Sequence, residues 1–138
     1  MTAPTEHLRS LLTTHVGVSG WQLETGAMPP KPDKVIMLTD TVGVEPNPRY
    51  LLDFPTAQIM VRGEVGEYLA TRDEGQAVKD LLLGLDSQDI GGDRMVSITQ
   101  NGDLGFIGRD ENNRPLFVLN LAMIIEPALT AESNRVVL

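Results

Sequence analysis

The chain has 138 residues, 41% of them hydrophobic, no cysteine, and a formal net charge of −8 from 11 Lys+Arg against 19 Asp+Glu. This length suits one domain with one core, and the missing thiols exclude a disulfide framework or a thiolate metal site. The acid excess opposes non-specific nucleic-acid binding, in which basic groups displace counterions, and no apolar run approaches the ~20 residues of a membrane span.

Residues 1–6 carry neither the basic start nor the apolar core of a signal peptide, so synthesis and use in a cytoplasm are expected. Thr5 is a plausible N-cap. Leu8, Leu11, Leu12 and Val16 then form one stripe before Gly17, which predicts a surface helix over 5–15. His15, near the end of that stripe, reads as half-buried or facing the helix dipole. Trp21-Gln22-Leu23-Glu24-Thr25 alternates as a strand does, with Trp21 as a core or interface anchor. The three prolines of Met28-Pro29-Pro30-Lys31-Pro32-Asp33 make a stiff, extended connector. Val35-Ile36-Met37-Leu38 reads as a short strand buried on both faces.

Residues 41–55 contain Gly43, Pro46, Pro48 and Pro55 without periodicity. Such a long unstructured loop in a small domain is expected to be ordered by a partner. Arg49, Tyr50, Leu51 and Leu52 near its end could grip a neighbour or dock back on the core.

The centre of the expected fold is the strand and helix that follow. Ala57-Gln58-Ile59-Met60-Val61-Arg62 alternates, with Ile59 and Val61 inward. Arg62 is the charged residue within this strand; it could pair with an acid across a subunit boundary or face outward from an edge. Gly63 and Gly66 bracket a turn. Thr71-Arg72-Asp73-Glu74 fits a capping box, and Ala77, Val78, Leu81, Leu82 and Leu85 recur at helical spacing up to Gly84, predicting a helix near 72–83.

Gly91-Gly92 marks a break, Met95-Val96-Ser97-Ile98-Thr99 a strand, Asn101-Gly102 a tight turn and Leu104-Gly105-Phe106-Ile107-Gly108 the returning strand. Residues 116–125 form the longest strand candidate, with Phe117, Leu119, Leu121, Met123 and Ile125 on one face and Leu116, Val118, Ala122 and Ile124 on the other. It should be central, or covered by a helix on one side and a neighbour on the other. Asn120 inside it would need hydrogen-bond partners if buried. Glu126-Pro127 stops the strand, leaving 128–138 as a loose tail.

No motif for catalysis appears: no G-x-G-x-x-G, P-loop, H-E-x-x-H or G-x-S-x-G. His7 and His15 stand two turns apart with no carboxylate at ligand spacing. Asp86, Asp89 and Asp93 form one acidic group, and Asp103, Asp110 and Glu111 another. Neither has the oxygen alternation of a calcium loop, and both read as solvated loop charge. No catalytic residue, cofactor or metal site is expected.

Three blocks occur in order: Met28-Pro29-Pro30-Lys31-Pro32-Asp33; Asp53-Phe54-Pro55-Thr56-Ala57-Gln58-Ile59-Met60-Val61-Arg62-Gly63; and Gly105-Phe106-Ile107-Gly108-Arg109-Asp110 continuing through Asn113-Arg114-Pro115-Leu116-Phe117-Val118-Leu119-Asn120. With the closing Glu126-Pro127, this set resembles the minor capsid or tail terminator proteins of long-tailed bacteriophages. The resemblance implies a small α+β virion protein, assembled in the host cytoplasm, that forms a ring, commonly a hexamer, at the head-proximal end of the tail tube. Its partners would be further copies of itself, the tail tube protein and the head connector, with DNA passing through the channel without specific binding. In that setting Asp86, Asp89, Asp93, Asp103, Asp110 and Glu111 are candidates for an acidic channel surface, and Arg49, Tyr50, Leu51, Leu52 and Arg62 for the subunit interface. Another head–tail connector, or a small enzyme with a loop-built site, is the alternative.

The expected architecture is a single α+β domain over 1–127 with a tail over 128–138. A mostly antiparallel or mixed sheet of about four to six strands is flanked by helices near 5–15 and 72–83. Its core should contain Leu8, Leu12, Ile36, Leu38, Ile59, Val61, Val78, Leu81, Leu82, Val96, Ile98, Phe117, Leu119 and Leu121.

Overall fold

The computed structural model describes residues 1–14, 18, 20–47 and 51–135. Among these residues two helices, α1 (Pro4–Thr13) and α2 (Tyr68–Leu82), pack on a mixed sheet of seven strands. The strands are β1 (Gln22–Thr25), β2 (Val35–Val44), β3 (Phe54–Arg62), β4 (Gln88–Ile90), β5 (Asp93–Gln100), β6 (Gly105–Arg109) and β7 (Pro115–Glu126). Their order is β1-β2-β3-β7-β5-β4, with β6 also on β7; β1 and β2 are parallel and the other pairs antiparallel. The expected α+β class is present. The strand beyond the expected number is β4, whose three residues have no periodicity and are held by pairing with β5.

β7 is the central strand, and its length explains a correction. Its first residues pair with β6 and its last with β5, along the same edge. The Asn101-Gly102 turn therefore does not close a β5–β6 hairpin; β6 returns on β7 through the turn held by Asp110 and Arg114. Twelve residues of β7 leave room for two short strands end to end.

One sheet face holds the core. Phe117, Leu119, Leu121, Met123 and Ile125 of β7 align through the ladders with Val61, Ile59 and Ala57 of β3 and with Ile36 and Leu38 of β2. Leu8, Leu11 and Leu12 of α1 and Val78 and Leu82 of α2 cover this face. Two expected core residues lie elsewhere. Leu81 is only half-buried, and Val96 is 37% exposed where the β5–β7 register shifts between Met95 and Ser97. A bulge breaks the alternation and turns one side chain outward.

The helix starts differ from expectation. α1 begins at Pro4, where the missing amide costs no helical hydrogen bond. Thr5 is not its cap: its hydroxyl donates to Asp40 Oδ2 at 3.0 Å. α2 begins at Tyr68, so the box at residues 71–74 lies inside the helix and caps nothing. Thr71 is fully buried, and its hydroxyl donates to the Glu67 carbonyl at 2.6 Å. Gly63 makes this burial possible, because a Cβ there would stand 1.7 Å from Thr71 Oγ1. Gly84 takes a left-handed φ of 86° beyond the helix end, as expected.

The stretch expected to be an unstructured loop is strand at its two ends. Thr41 to Val44 extend β2, and Phe54 and Pro55 begin β3. The Thr41 and Thr56 hydroxyls meet at 2.6 Å across this extension. Cross-strand pairing supplies an order that the local sequence does not announce. The tail is anchored in part, by the Ala128 amide on Asp93 Oδ1 at 2.7 Å and by an Arg135–Asp53 ion pair at 2.7 Å.

Candidate functional site: the subunit surfaces

The candidate interface residues separate in the structure. Arg49 and Tyr50, like His15, Val16 and Gly17, lie outside the described residues. Leu51 is buried and Leu52 half-buried, so this end of the loop docks on its own subunit. Arg62 is neither at the surface nor free for a neighbour. It is 2% exposed, and its guanidinium donates to the carbonyls of Asp33 at 3.0 Å and Pro32 at 2.6 Å.

Arg62 belongs to a buried cluster that ties down the proline-rich connector. Arg114 donates from Nη1 to the Pro30 carbonyl at 2.8 Å and to Asp33 Oδ1 at 3.1 Å, and from Nε to Asp110 Oδ2 at 2.7 Å. A segment with few amide donors still carries carbonyls to satisfy, and two arginines provide the donors. Burial lowers the Arg62 pKa, and the neighbouring Arg114 adds to this. Burial also opposes the charge on Arg114, but Asp110 and Asp33 outweigh it and raise its pKa. This cluster is structural, and Asp110, half-buried and holding Arg114, is not a freely solvated acid.

Asp93 is likewise withdrawn from the acidic surface. It is 1% exposed and accepts from His7 Nε2 at 2.8 Å, the Thr2 amide at 3.0 Å and the Ala128 amide at 2.7 Å. One carboxylate thus joins the N-terminus, α1, β5 and the segment after β7. Burial pushes its carboxyl pKa up, but the Ala128 amide, the His7 imidazole and the Thr2 amide together bring it below the ordinary value. His7 is also buried, and nothing in its position separated it from a surface histidine in the sequence.

The other acids remain outside. Asp86, Asp89, Asp103 and Glu111 are exposed. Asp103 bonds Lys79 Nζ at 2.8 Å, and Lys79, the Leu104 amide and Gln100 hold its pKa at about 2. Asp89 pairs loosely with Arg94 at 3.3 Å. No group of three or more metal-ligating side chains is assembled among the described residues, and none of their helices is long and apolar enough to cross a membrane.

Two surfaces stand out. The first joins the start of α2 to β6. The rings of Tyr68, Phe106 and Phe117 lie 5.0–5.4 Å apart. Phe117 is buried beneath Tyr68 and Phe106, while Tyr68, Leu69, Ile107 and Val65 are exposed. Sequence reasoning missed this patch because it bracketed a turn with Gly63 and Gly66 and began the helix near 72, leaving Tyr68 and Leu69 unassigned; two large apolar residues between turn and helix were the available signal. The second surface is the sheet face away from the helices. Met37, Met60, Ala122 and Ile124 are half-buried there, beside Thr39, Thr56, Gln58 and Thr99 of the same face, and Asn120 is exposed among them rather than buried. At one end of this face, Val44, Phe54, Thr56, Thr99, Ala122 and Ile124 border a depression of about 340 Å³.

The family model described as "Bacteriophage tail terminator protein" matches residues 11–127. No curated protein sequence matches the chain. Among solved structures, one titled "Virion of native gene transfer agent (GTA) particle" superposes with a TM-score of 0.73 at 18% identity, covering 91% of this chain and 96% of that one. A second superposes with a TM-score of 0.57 at 10% identity, covering 93% of this chain and 100% of that one. At these identities the likeness is one of fold, and the family match carries the assignment: this chain belongs to the bacteriophage tail terminator proteins, structural components of the virion and not enzymes.

Proposed function

We propose that copies of this chain form a homohexameric ring at the head-proximal end of a phage tail tube, where the ring ends tube polymerisation and offers the surface that joins the head. The observation that carries this reading is the family match over residues 11–127. Exposed Tyr68, Leu69, Phe106 and Ile107 support it, because exposed large apolar side chains on an isolated subunit are the kind of surface that assembly covers. The tail tube protein and a head connector are the partners beyond the ring itself.

DNA would cross the lumen without sticking. A carboxylate-lined wall repels phosphates, whereas basic groups would hold them through counterion release. Asp86, Asp89, Asp103 and Glu111 are the exposed candidates for that wall. Replacing two or three of them by lysine in rings that still assemble should slow DNA ejection and steepen its salt dependence; ejection unchanged in every combination would remove the lumen role.

The test of the main reading is electron microscopy of tails made with and without this protein. Without it, tails of uncontrolled length that do not join heads are expected. Tails of normal length that still join heads would sink the proposal.

A further inference from the structure

The N-terminal residues and the segment after β7 meet at one turn. Gly91 and Gly92, between β4 and β5, take left-handed φ values of 56° and 88°. A Cβ on Gly91 would stand 3.3 Å from His7 Cε1 and 3.7 Å from Thr2 Oγ1, and one on Gly92 3.8 Å from Ala128 Cβ. The turn leads into Asp93, which is 1% exposed. Its Oδ2 accepts from the Thr2 amide at 3.0 Å and from His7 Nε2 at 2.8 Å, and its Oδ1 from the Ala128 amide at 2.7 Å.

The three donors are not equally held. His7 is 2% exposed on α1, whose Leu8, Leu11 and Leu12 lie in the core, so it stays with the domain. Residues 1–3 are exposed and precede that helix. Residues 128–135 follow β7, and none of them is buried; Leu129 is 50% exposed. Beyond the Ala128 bond, this segment is tied down through Arg135, on the Asp53 carboxylate at 2.7 Å and the Leu52 carbonyl at 3.2 Å. Hydrogen bonds and charge hold both segments, not apolar burial, so they belong to the least stable part of the fold.

A shared acceptor couples the two segments. While all three donors are in place, Asp93 is shut off from water, and a hydrogen bond shut off from water is stronger than an exposed one. When either amide leaves, water reaches the carboxylate and competes for the remaining bond. Coupling of this kind is reciprocal.

We propose that residues 1–3 and 128–135 form one latch keyed on Asp93: drawing either segment away loosens the other, while the sheet and both helices stay folded. A free subunit keeps both segments folded back, and a neighbour that takes up one segment receives the other more readily. That consequence rests on the assembly reading above. The latch itself is a property of one subunit, and its failure in a monomer would leave that reading untouched.

The test removes one amide at a time. Thr2→Pro deletes the Thr2 donor and leaves Asp93, His7 and residues 128–135 as they are; Thr2→Ala keeps the amide and is the control. Ala128→Pro and Ala128→Ser are the reciprocal pair. Each full-length protein is studied by NMR as a monomer, with Met1 confirmed by mass. In Thr2→Pro the Ala128 amide should exchange about three to ten times faster, a change the size of one hydrogen bond's net worth, and order parameters at residues 129–134 should fall. In Ala128→Pro the Thr2 amide should quicken likewise and its order parameter fall. Thr2→Ala and Ala128→Ser should match the unaltered chain, and the amides of buried Leu119 and Leu121 in β7 should exchange alike in every variant. Unchanged Ala128 exchange in Thr2→Pro, or unchanged Thr2 exchange in Ala128→Pro, would overturn the coupling. Loosening in the Ala and Ser controls would overturn the amides as the link, and quickened β7 exchange would overturn a latch separate from the core.

Discussion

Removal of the Asp93 carboxylate by Asp93→Ala should be among the most destabilising single changes outside the apolar core. Three donors converge on this side chain: the His7 imidazole, the Ala128 amide and the Thr2 amide. Thr2 and Ala128 are both exposed residues whose bonds to Asp93 are part-buried, so each amide regains water only in part. His7 is buried. A buried donor left unsatisfied costs about 1–3 kcal/mol, and the two amides add to it, so roughly 3–4 kcal/mol is expected in all. With an unfolding entropy of about 2.1 cal/mol/K per residue, a chain of this length should lose roughly 10–14 °C in Tm. Thermal and urea unfolding followed by circular dichroism would measure it, at a concentration where both proteins are monomeric, because assembly raises apparent stability. Asp86→Ala, at an exposed acid, is the control and should stay within about 0.5 kcal/mol. Because the folded-state pKa of Asp93 is depressed, its contribution is present above the ordinary carboxylate pKa of about 3.9 and disappears as pH falls through the folded value. The gap between wild type and variant should therefore narrow as pH falls below about 4. A loss under 1 kcal/mol at neutral pH, or a gap unchanged by acid, would refute the clasp as described.

Further outcomes follow from the same geometry. Leu82→Ala, at a fully buried side chain, should cost about 2–5 kcal/mol, whereas Leu81→Ala should cost clearly less because Leu81 is half-buried; comparable losses in urea unfolding would contradict the helix orientation. Lys79→Ala should raise the Asp103 pKa from about 2 toward the ordinary value, as read by NMR titration, and an unmoved pKa would rule out the ion pair in solution. Arg114→Ala should free the connector: NMR order parameters at Lys31, Asp33 and Lys34 should fall, with a loss of about 1–3 kcal/mol for the Pro30 carbonyl and the Asp110 oxygen left without the guanidinium.

The sequence by itself determined the elements whose order is local. The alternation of Ala57 to Arg62, the helical spacing of Val78 and Leu82, and the two-sided apolar run from Leu116 to Ile125 identify β3, α2 and the central β7. Each is a periodicity written in neighbouring residues, and burial of the matching face follows from it. Most expected core residues, from Leu8 to Leu121, are buried for this reason.

Tertiary structure decided what depends on distant partners. The cross-strand contacts of Thr41 and Thr56 extended β2 through a stretch that reads as loop, and β7 took β6 away from the hairpin that Asn101-Gly102 suggests. Arg62 and Asp93 looked like surface charges because isolated charges usually are. They are buried because Pro32, Asp33, His7, Thr2 and Ala128 meet them from far along the chain. The two surfaces described above belong to the same class. Tyr68 and Phe106, or Val44 and Ile124, become neighbours only when the sheet closes, since no local pattern encodes which exposed residues will share a patch.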